Sequence, residues 1–255
     1  MACSNTVRGT IQALSSRNNQ QLIYKVGCMI AMLQSDRGIK MSFQINVKCL
    51  IAANMFASTD KMRYYLAGVN VRWTRETVTL EATDGHRLVV LRHDMNGEVM
   101  DFQNIPSSFI IPSTLIARIK LDKYVDYATL DIVNDQVSIN YVGTTYVESR
   151  IDGTFPDIKR VVPETVDGVV AQFNPEYVQS FLKAARIFNK KQGHVSISHN
   201  GGSPSLVNWL NDTDVQALGV IMPLRVNNTE LPCYDAAPTW FTGKVAEQEQ
   251  EQVAA

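Results

Sequence analysis

Alternation of apolar and polar positions divides the chain into three similar stretches, at 43–94, 108–163 and 169–226. Each opens with a short apolar run: FQI at 43–45, FIIP at 109–112, VVAQF at 169–173. Each continues into a run with helical spacing that starts at Asn46, Ser113 or Asn174, so the starts lie 67 and 61 residues apart. Three strand-like stretches follow every time. They are 64–71, 77–84 and 86–92 in the first unit, 128–133, 136–142 and 144–150 in the second, and 194–199, 205–210 and 215–223 in the third. Period-two alternation, as in Val137, Ile139 and Tyr141, predicts strands with one buried face. Asn134-Asp135 and Gly201-Gly202 read as hairpin turns. The predicted unit is therefore strand, helix and three strands, present three times, and such repetition outweighs any single element in assigning a fold. The fold class is α+β, with helices on one face of antiparallel sheets.

The helices carry charge on their outer sides. In the third, Asn174 followed by Pro175 is a start signal. Tyr177, Val178, Phe181, Leu182, Ala185 and Phe188 form the stripe of a helix lying on a sheet. Lys183, Arg186 and Lys190 share the opposite face, and Lys191 follows. The second helix turns Leu115, Ile116 and Ile119 inward, with Arg118, Lys120 and Lys123 nearby. The first contributes Lys48, followed by Lys61 and Arg63 in the next loop. One basic helix is an ordinary solvated face, but equivalent basic helices in a chain of net charge −1 suit sequence-independent contact with phosphates.

Composition narrows the class. An apolar content of 45% with a charge of −1 excludes disorder over most of the chain and a histone-like basic binder. A length of 255 residues allows a sizeable core. The apolar stretch at 22–33 is broken by Lys25 and is too short to span a bilayer, so no membrane partner is expected. Cys3, Cys28, Cys49 and Cys233 show no CxxC spacing, which predicts free thiols in a reducing cytoplasm. His86, His93, His194 and His199 show no metal-ligand spacing, and no P-loop, GxSxG or GxGxxG occurs. Neither catalysis nor a cofactor is expected.

Four strings carry a family resemblance: MRYYLAGV (62–69), EATDGHRL (81–88), RIDGTFPDIKRVVP (150–163) and VIMPLR (220–225). In this order they resemble the bacterial DNA polymerase III beta subunit, the sliding clamp. The resemblance implies the processivity fold, with helices lining a central hole, sheets forming an outer wall, and double-stranded DNA held without regard to sequence. It implies DNA-facing positions at Lys48, Lys61, Arg63, Tyr64, Tyr65, Arg118, Lys120, Lys123, Lys183, Arg186 and Lys190. For Tyr64 and Tyr65 a strand start packing on the core is the competing reading. It also implies a pocket in which the polymerase and the clamp loader dock a linear peptide motif. Carried across residue by residue, its walls are Leu66, Thr83, Gly85, His86, Arg87, Leu88, Pro156, Arg160, Val161, Val220, Met222, Pro223, Leu224 and Arg225. The apolar members suit an anchor side chain, Met222 suits varied partners, and Arg87, Arg160 and Arg225 are expected at the rim.

The chain departs from the family in extent. A family member has six units; here 42–163 resembles the complete middle domain and 169–226 the last half of the third. Residues 1–41 match nothing in the family, and Met41 is a candidate start. Residues 227–255 extend past the family's usual end with Trp240-Phe241 and a polar tail; the aromatic pair either covers the pocket or packs on the outer sheet. Four copies would supply the twelve units of a ring, so a homo-oligomer is expected. The alternative is a ring-less protein that binds clamp partners and competes for them. An unrelated β-rich enzyme is a third reading.

Overall fold

A computed structural model describes residues 40–95, 108–133 and 135–225. Expectations placed on Cys3, Cys28, Cys233, Asn134, the stretch at 22–33, Trp240 and Phe241 lie outside the described residues. The first unit contains β1 (Lys40–Asn46), α1 (Val47–Asn54), β2 (Gly68–Trp73), β3 (Thr77–Thr83) and β4 (Arg87–Asp94). The second contains β5 (Ser108–Pro112), α2 (Ser113–Ala117), β6 (Tyr127–Val133), β7 (Gln136–Tyr141) and β8 (Thr144–Ser149). The third contains α3 (Pro175–Phe188), β9 (Ser196–Ser198), β10 (Ser205–Asn208) and β11 (Val215–Ile221).

The helices start where spacing predicts, and local chemistry explains why. The Asn46 side-chain oxygen accepts from the backbone N–H groups of Lys48 and Cys49, satisfying two donors that an α-helix leaves open at its start. Asn174 does the same for Glu176, with Pro175 in the first turn. Two expectations fail. Residues 64–66 form a 3-10 turn rather than the start of a strand, and VVAQF at 169–173 is no strand at all.

Sheet topology accounts for the second failure. One sheet has the order β1-β6-β7-β8 and the other β5-β2-β3-β4-β11-β10-β9. The opening strands of units one and two are exchanged: β1 pairs with β6, and β5 with β2. Among the described residues the third unit has no second partner with which to exchange. Its opening stretch instead runs beside the β9–β10 turn, where Gly201 N–H donates to the Val169 carbonyl at 2.8 Å. Leu224 N–H likewise donates to the Gln172 carbonyl at 2.8 Å.

A single apolar core fills the space between the sheets and the helices. Helix α1 is its centre, with Val47, Cys49, Leu50, Ala52 and Ala53 all buried. Burial pushes the Cys49 thiol far above its ordinary value, so this cysteine packs as a small apolar group. Phe56 of unit one meets Phe181 and Trp209 of unit three at ring distances of 4.7 and 6.4 Å. Glycine at 219 permits this approach, because a Cβ there would lie 2.6 Å from the Phe181 ring.

His93 ties the two sheets together. It is 2% exposed on β4, and its Nδ1 lies 2.8 Å from the Asp94 carbonyl. Its Nε2 accepts from the Asn46 N–H at 3.3 Å, at the β1–α1 junction. These roles require the neutral ring, protonated on Nδ1. Burial lowers the His93 pKa, so the native state binds this proton less readily than the unfolded chain does. The contribution is intact above about pH 6.5 and is lost as pH falls through the lower native value. Urea midpoints measured at about pH 7.5 and about pH 5 should therefore fall further for the natural chain than for His93→Gln. An equal pH dependence in the two proteins would contradict this role.

Candidate functional site

The expected pocket residues fall on both faces of the seven-stranded sheet, and strand alternation sorts them. Val89 and Leu91 of β4 point into the main core, so Leu88 and Val90 point outward. Register then places Leu88 opposite Val220 on β11, and Val220 opposite Leu206 on β10. Three strands thus present one apolar row on the outer face.

A crossing segment covers this row. After β8 the chain makes a single bridge, Ile151 to Ile110 of β5. It then passes the Tyr64–Tyr65 turn so closely that a Cβ at Gly153 would sit 2.9 Å from the Tyr65 Cβ. Asp157 caps the 3-10 turn Ile158–Arg160 through the Lys159 N–H. Ile158 there joins Leu88 and Val220 in a separate apolar cluster, with Val90, Phe155, Val162 and Leu206 packed around it. Leu88 and Val220 are each 3% exposed and form a floor. Val161, Met222 and Leu224 remain 45%, 39% and 46% exposed.

The three distant segments are fastened by backbone bonds. Met222 N–H donates to the His86 carbonyl at 2.7 Å. Thr83 Oγ1 donates to the Arg87 carbonyl and accepts from Gly85 N–H, while Asp84 Oδ1 accepts from His86 and Arg87. Gly85 holds φ at 93°, a conformation that favours glycine. Thr83, Gly85 and His86 thereby build the hairpin to which the 220–225 stretch is strapped. Pro156 and Arg160 are exposed on the crossing segment, Pro223 is half-buried and Arg225 exposed.

Two expected positions are corrected. Arg87 is no rim group: alternation turns it to the face opposite Leu88. There its Nε donates to Asp84 Oδ2 at 2.8 Å, and its guanidinium lies over Phe56 at 5.3 Å and Tyr177 at 5.1 Å. It joins unit one to unit three from the inside. Leu66 is buried in its 3-10 turn and lies outside the outer cluster. Conversely, Val90, Phe155, Ile158, Val162 and Leu206 belong to the cluster and were not named from sequence. The alternation of Leu88 with Val90 was the available signal for one of them.

Beside the cluster the outer face turns polar. Glu81 is 3% exposed, accepts from Asn70 Nδ2 at 2.7 Å and lies 3.5 Å from Arg72. Burial raises its pKa, and the nearby Asp157 charge adds to the effect.

On the other side of the molecule, α2 and α3 both pack against α1. Lys183 and Arg186 are exposed on α3, as the helical spacing predicts, whereas Lys190 is exposed in the turn after the helix ends at Phe188. Arg118, Lys120 and Lys123 are exposed at and after the end of α2. Several of these charges are engaged. Lys48 pairs with Asp126 at 2.7 Å, Arg118 with Glu148 at 3.1 Å, and Arg63 with Asp60 at 3.0 Å. Arg186 Nε donates to the Gln192 carbonyl, and Lys123 sits over Tyr124. Among the described residues Lys61, Lys120, Lys183 and Lys190 make no ion pair. Tyr64 and Tyr65 stack edge to face at 5.8 Å, with Tyr64 55% exposed, so the pair does not pack into the core. Among the described residues no group of three His, Cys, Asp or Glu could hold a metal ion, and no helix is long and apolar enough to cross a membrane.

Comparison with known proteins gives a consistent result. Residues 44–157 match the family described as the DNA polymerase III beta subunit, central domain. The beta sliding clamp of Proteus mirabilis is 30% identical over 166 residues, covering 62% of this chain and 43% of that protein. The beta sliding clamp of Haemophilus influenzae is 27% identical over 158 residues, covering 61% and 42%. This chain thus spans a little over two-fifths of these relatives. Among solved structures, the Pseudomonas aeruginosa sliding clamp superposes with a TM-score of 0.57 at 19% identity, over 76% of this chain and 68% of that one. The chain therefore has the sliding-clamp fold.

The contrast between the two arginines is measurable. Arg87→Met removes one partly buried ion pair and two ring contacts, and should cost about 1–3 kcal/mol in urea unfolding. Arg160→Ala, on a side chain 84% exposed, should stay within about 0.5 kcal/mol. Equal effects would contradict the assigned roles.

Proposed function

This chain is a relative of the bacterial beta sliding clamps, with their central domain at residues 44–157, and on that premise we propose that it acts as a clamp-type processivity factor of DNA replication. In this reading it works in the cytoplasm, tethers a polymerase to double-stranded DNA, and performs no catalytic step. The observation that carries it is the outer apolar cluster. Strands β4 and β11, far apart in sequence, supply a buried Leu88–Val220 floor that Ile158 of the crossing segment covers, with Val161, Met222 and Leu224 exposed.

An apolar notch with adaptable exposed side chains suits capture of a short peptide from a polymerase or a clamp loader. Hydrogen-bonding groups of the hairpin are already committed, so the affinity would come from apolar burial. On the helical side, Lys120, Lys183 and Lys190 offer charge to phosphates without aiming donors at base edges, which suits a protein that holds DNA and slides. Lys61, Arg63, Tyr64 and Tyr65 would meet DNA from the adjoining turn. Lys48 and Arg118 would contribute less, because Asp126 and Glu148 already neutralise them.

In this reading several copies associate to encircle DNA. A ring-less protein that binds clamp partners and competes for them is the second reading, and it needs only the outer apolar cluster.

Met222→Glu and Leu224→Asp change exposed residues and should leave the circular dichroism spectrum intact. Each should weaken binding of a labelled polymerase C-terminal peptide by about tenfold or more; undiminished binding by both would overturn the pocket. For DNA, Lys183→Glu with Lys190→Glu should flatten the slope of log affinity against log salt by about 2. Retention on circular but not linear DNA selects the first reading, and peptide binding without such retention selects the second.

A further inference from the structure

The crossing segment divides the outer face of the seven-stranded sheet. Register sets the outward pairs along β4 and β11 in the order Leu88–Val220, Val90–Leu218 and Arg92–Gln216. Met222, whose N–H donates to the His86 carbonyl, lies one step before the first pair. Ile158 packs on Leu88 and Val220. The notch beside Met222 is therefore on one side of the segment, and the last two pairs are on the other. There Thr79 of β3, opposite Arg92, completes a shallow groove of about 420 Å³ lined by Thr79, Val90, Arg92, Gln216, Ala217 and Leu218.

The two ends of this groove differ in chemistry. Val90 and Leu218 are half-buried and form an apolar wall, Val90 packing against the outer cluster. Arg92 and Gln216 are exposed. Arg92 Nη2 donates to Gln216 Oε1. Among the described residues Arg92 makes no ion pair, although Asp94 follows two positions along the same face of β4.

With its oxygen committed to Arg92, Gln216 has its amide N–H groups left to offer, and the Thr79 hydroxyl is uncommitted among the described residues. On the far side of Thr79, register places Arg72 of β2 two strand spacings from Arg92, about 10 Å away. Arg72 is half-exposed, and the carboxylate it pairs with, Glu81, is buried. The polar side chains of the groove therefore present donors, two of them guanidinium groups. Such a set suits a carboxylate, which arginine can hold through two parallel bonds. A bare phosphate would leave the apolar wall unused, and a nucleic-acid backbone would meet both that wall and Asp94.

We propose that this groove is a second docking site, which takes an extended acidic segment of a partner protein. In that segment a carboxylate and an apolar side chain stand two positions apart. On a strand-like peptide such residues share a face about 7 Å apart, the same step that separates Arg92 from Val90. The carboxylate meets Arg92 and Gln216, the apolar side chain rests on Val90 and Leu218, and a further carboxylate is within reach of Arg72. The site goes beyond the reading above. It uses neither the notch nor the lysines of the helical side, and it holds whether or not the chain acts on DNA.

Fluorescence anisotropy of the full chain with a fluorescein-labelled peptide, SLSESE, tests it, with SLSQSQ as the control. SLSESE should bind saturably below about 1 mM and more weakly as sodium chloride is raised, and SLSQSQ should bind about tenfold more weakly or worse. Gln216→Glu sets a carboxylate beside Arg92, and Arg92→Ala removes the guanidinium. Both residues are exposed, so the melting temperature should hold while each variant weakens SLSESE binding by about tenfold or more. No saturable binding, equal binding of SLSQSQ, or binding undiminished in both variants would overturn the proposal. Displacement of the peptide by an equal concentration of inorganic phosphate or of a duplex oligonucleotide would also overturn it, since the groove would then select charge without the apolar side chain.

Discussion

The antiparallel junction of β4 with β11 is the constraint on which the remaining architecture depends. It joins the first unit to the third across more than a hundred residues of intervening chain, and it sets which side chains face each way. Outward it aligns Leu88, Val220 and Leu206 into one apolar row. Inward it brings Arg87 between Phe56 and Tyr177, and lets Phe181 and Trp209 close on Gly219. A shift of one residue in this register would exchange the two sets and destroy both.

Exchange of opening strands is the second organising feature. Strands β1 and β5 each complete the sheet of the other unit, so neither of the first two units has a whole sheet by itself. Residues 169–173 have the same apolar character but, among the described residues, no sheet to complete, and they form a strip tied to the β9–β10 turn and to Leu224. The same local sequence pattern therefore gives a strand or a loop according to whether a pairing edge is available.

The electrostatics follow a similar division. Basic residues of the first two helices are partly spent on neighbours, Lys48 on Asp126 and Arg118 on Glu148, whereas Lys183 of α3 and Lys190 in the turn after it are exposed and make no ion pair among the described residues. A surface of dispersed, incompletely paired lysines gives a soft attraction to anions without fixed geometry.

Local rules made much of this legible in the sequence. Helix starts at Asn46 and Asn174, the strand alternation of β7, the buried stripe around Phe181 and the threefold repeat all depend on residues close together in the chain, where period and capping act directly. The four strings of family resemblance also located the three segments that form the outer cluster. What only the tertiary structure decided was pairing between distant strands and the face each side chain takes as a result. Hence Arg87 and Leu88, adjacent in one string, serve opposite sides of the sheet. Hence too Phe155, Ile158 and Val162 cover a floor they are not near in sequence, and Lys48 finds Asp126. Spacing along a chain carries no information about which edge lies alongside it, and that edge is set by the packing of the whole.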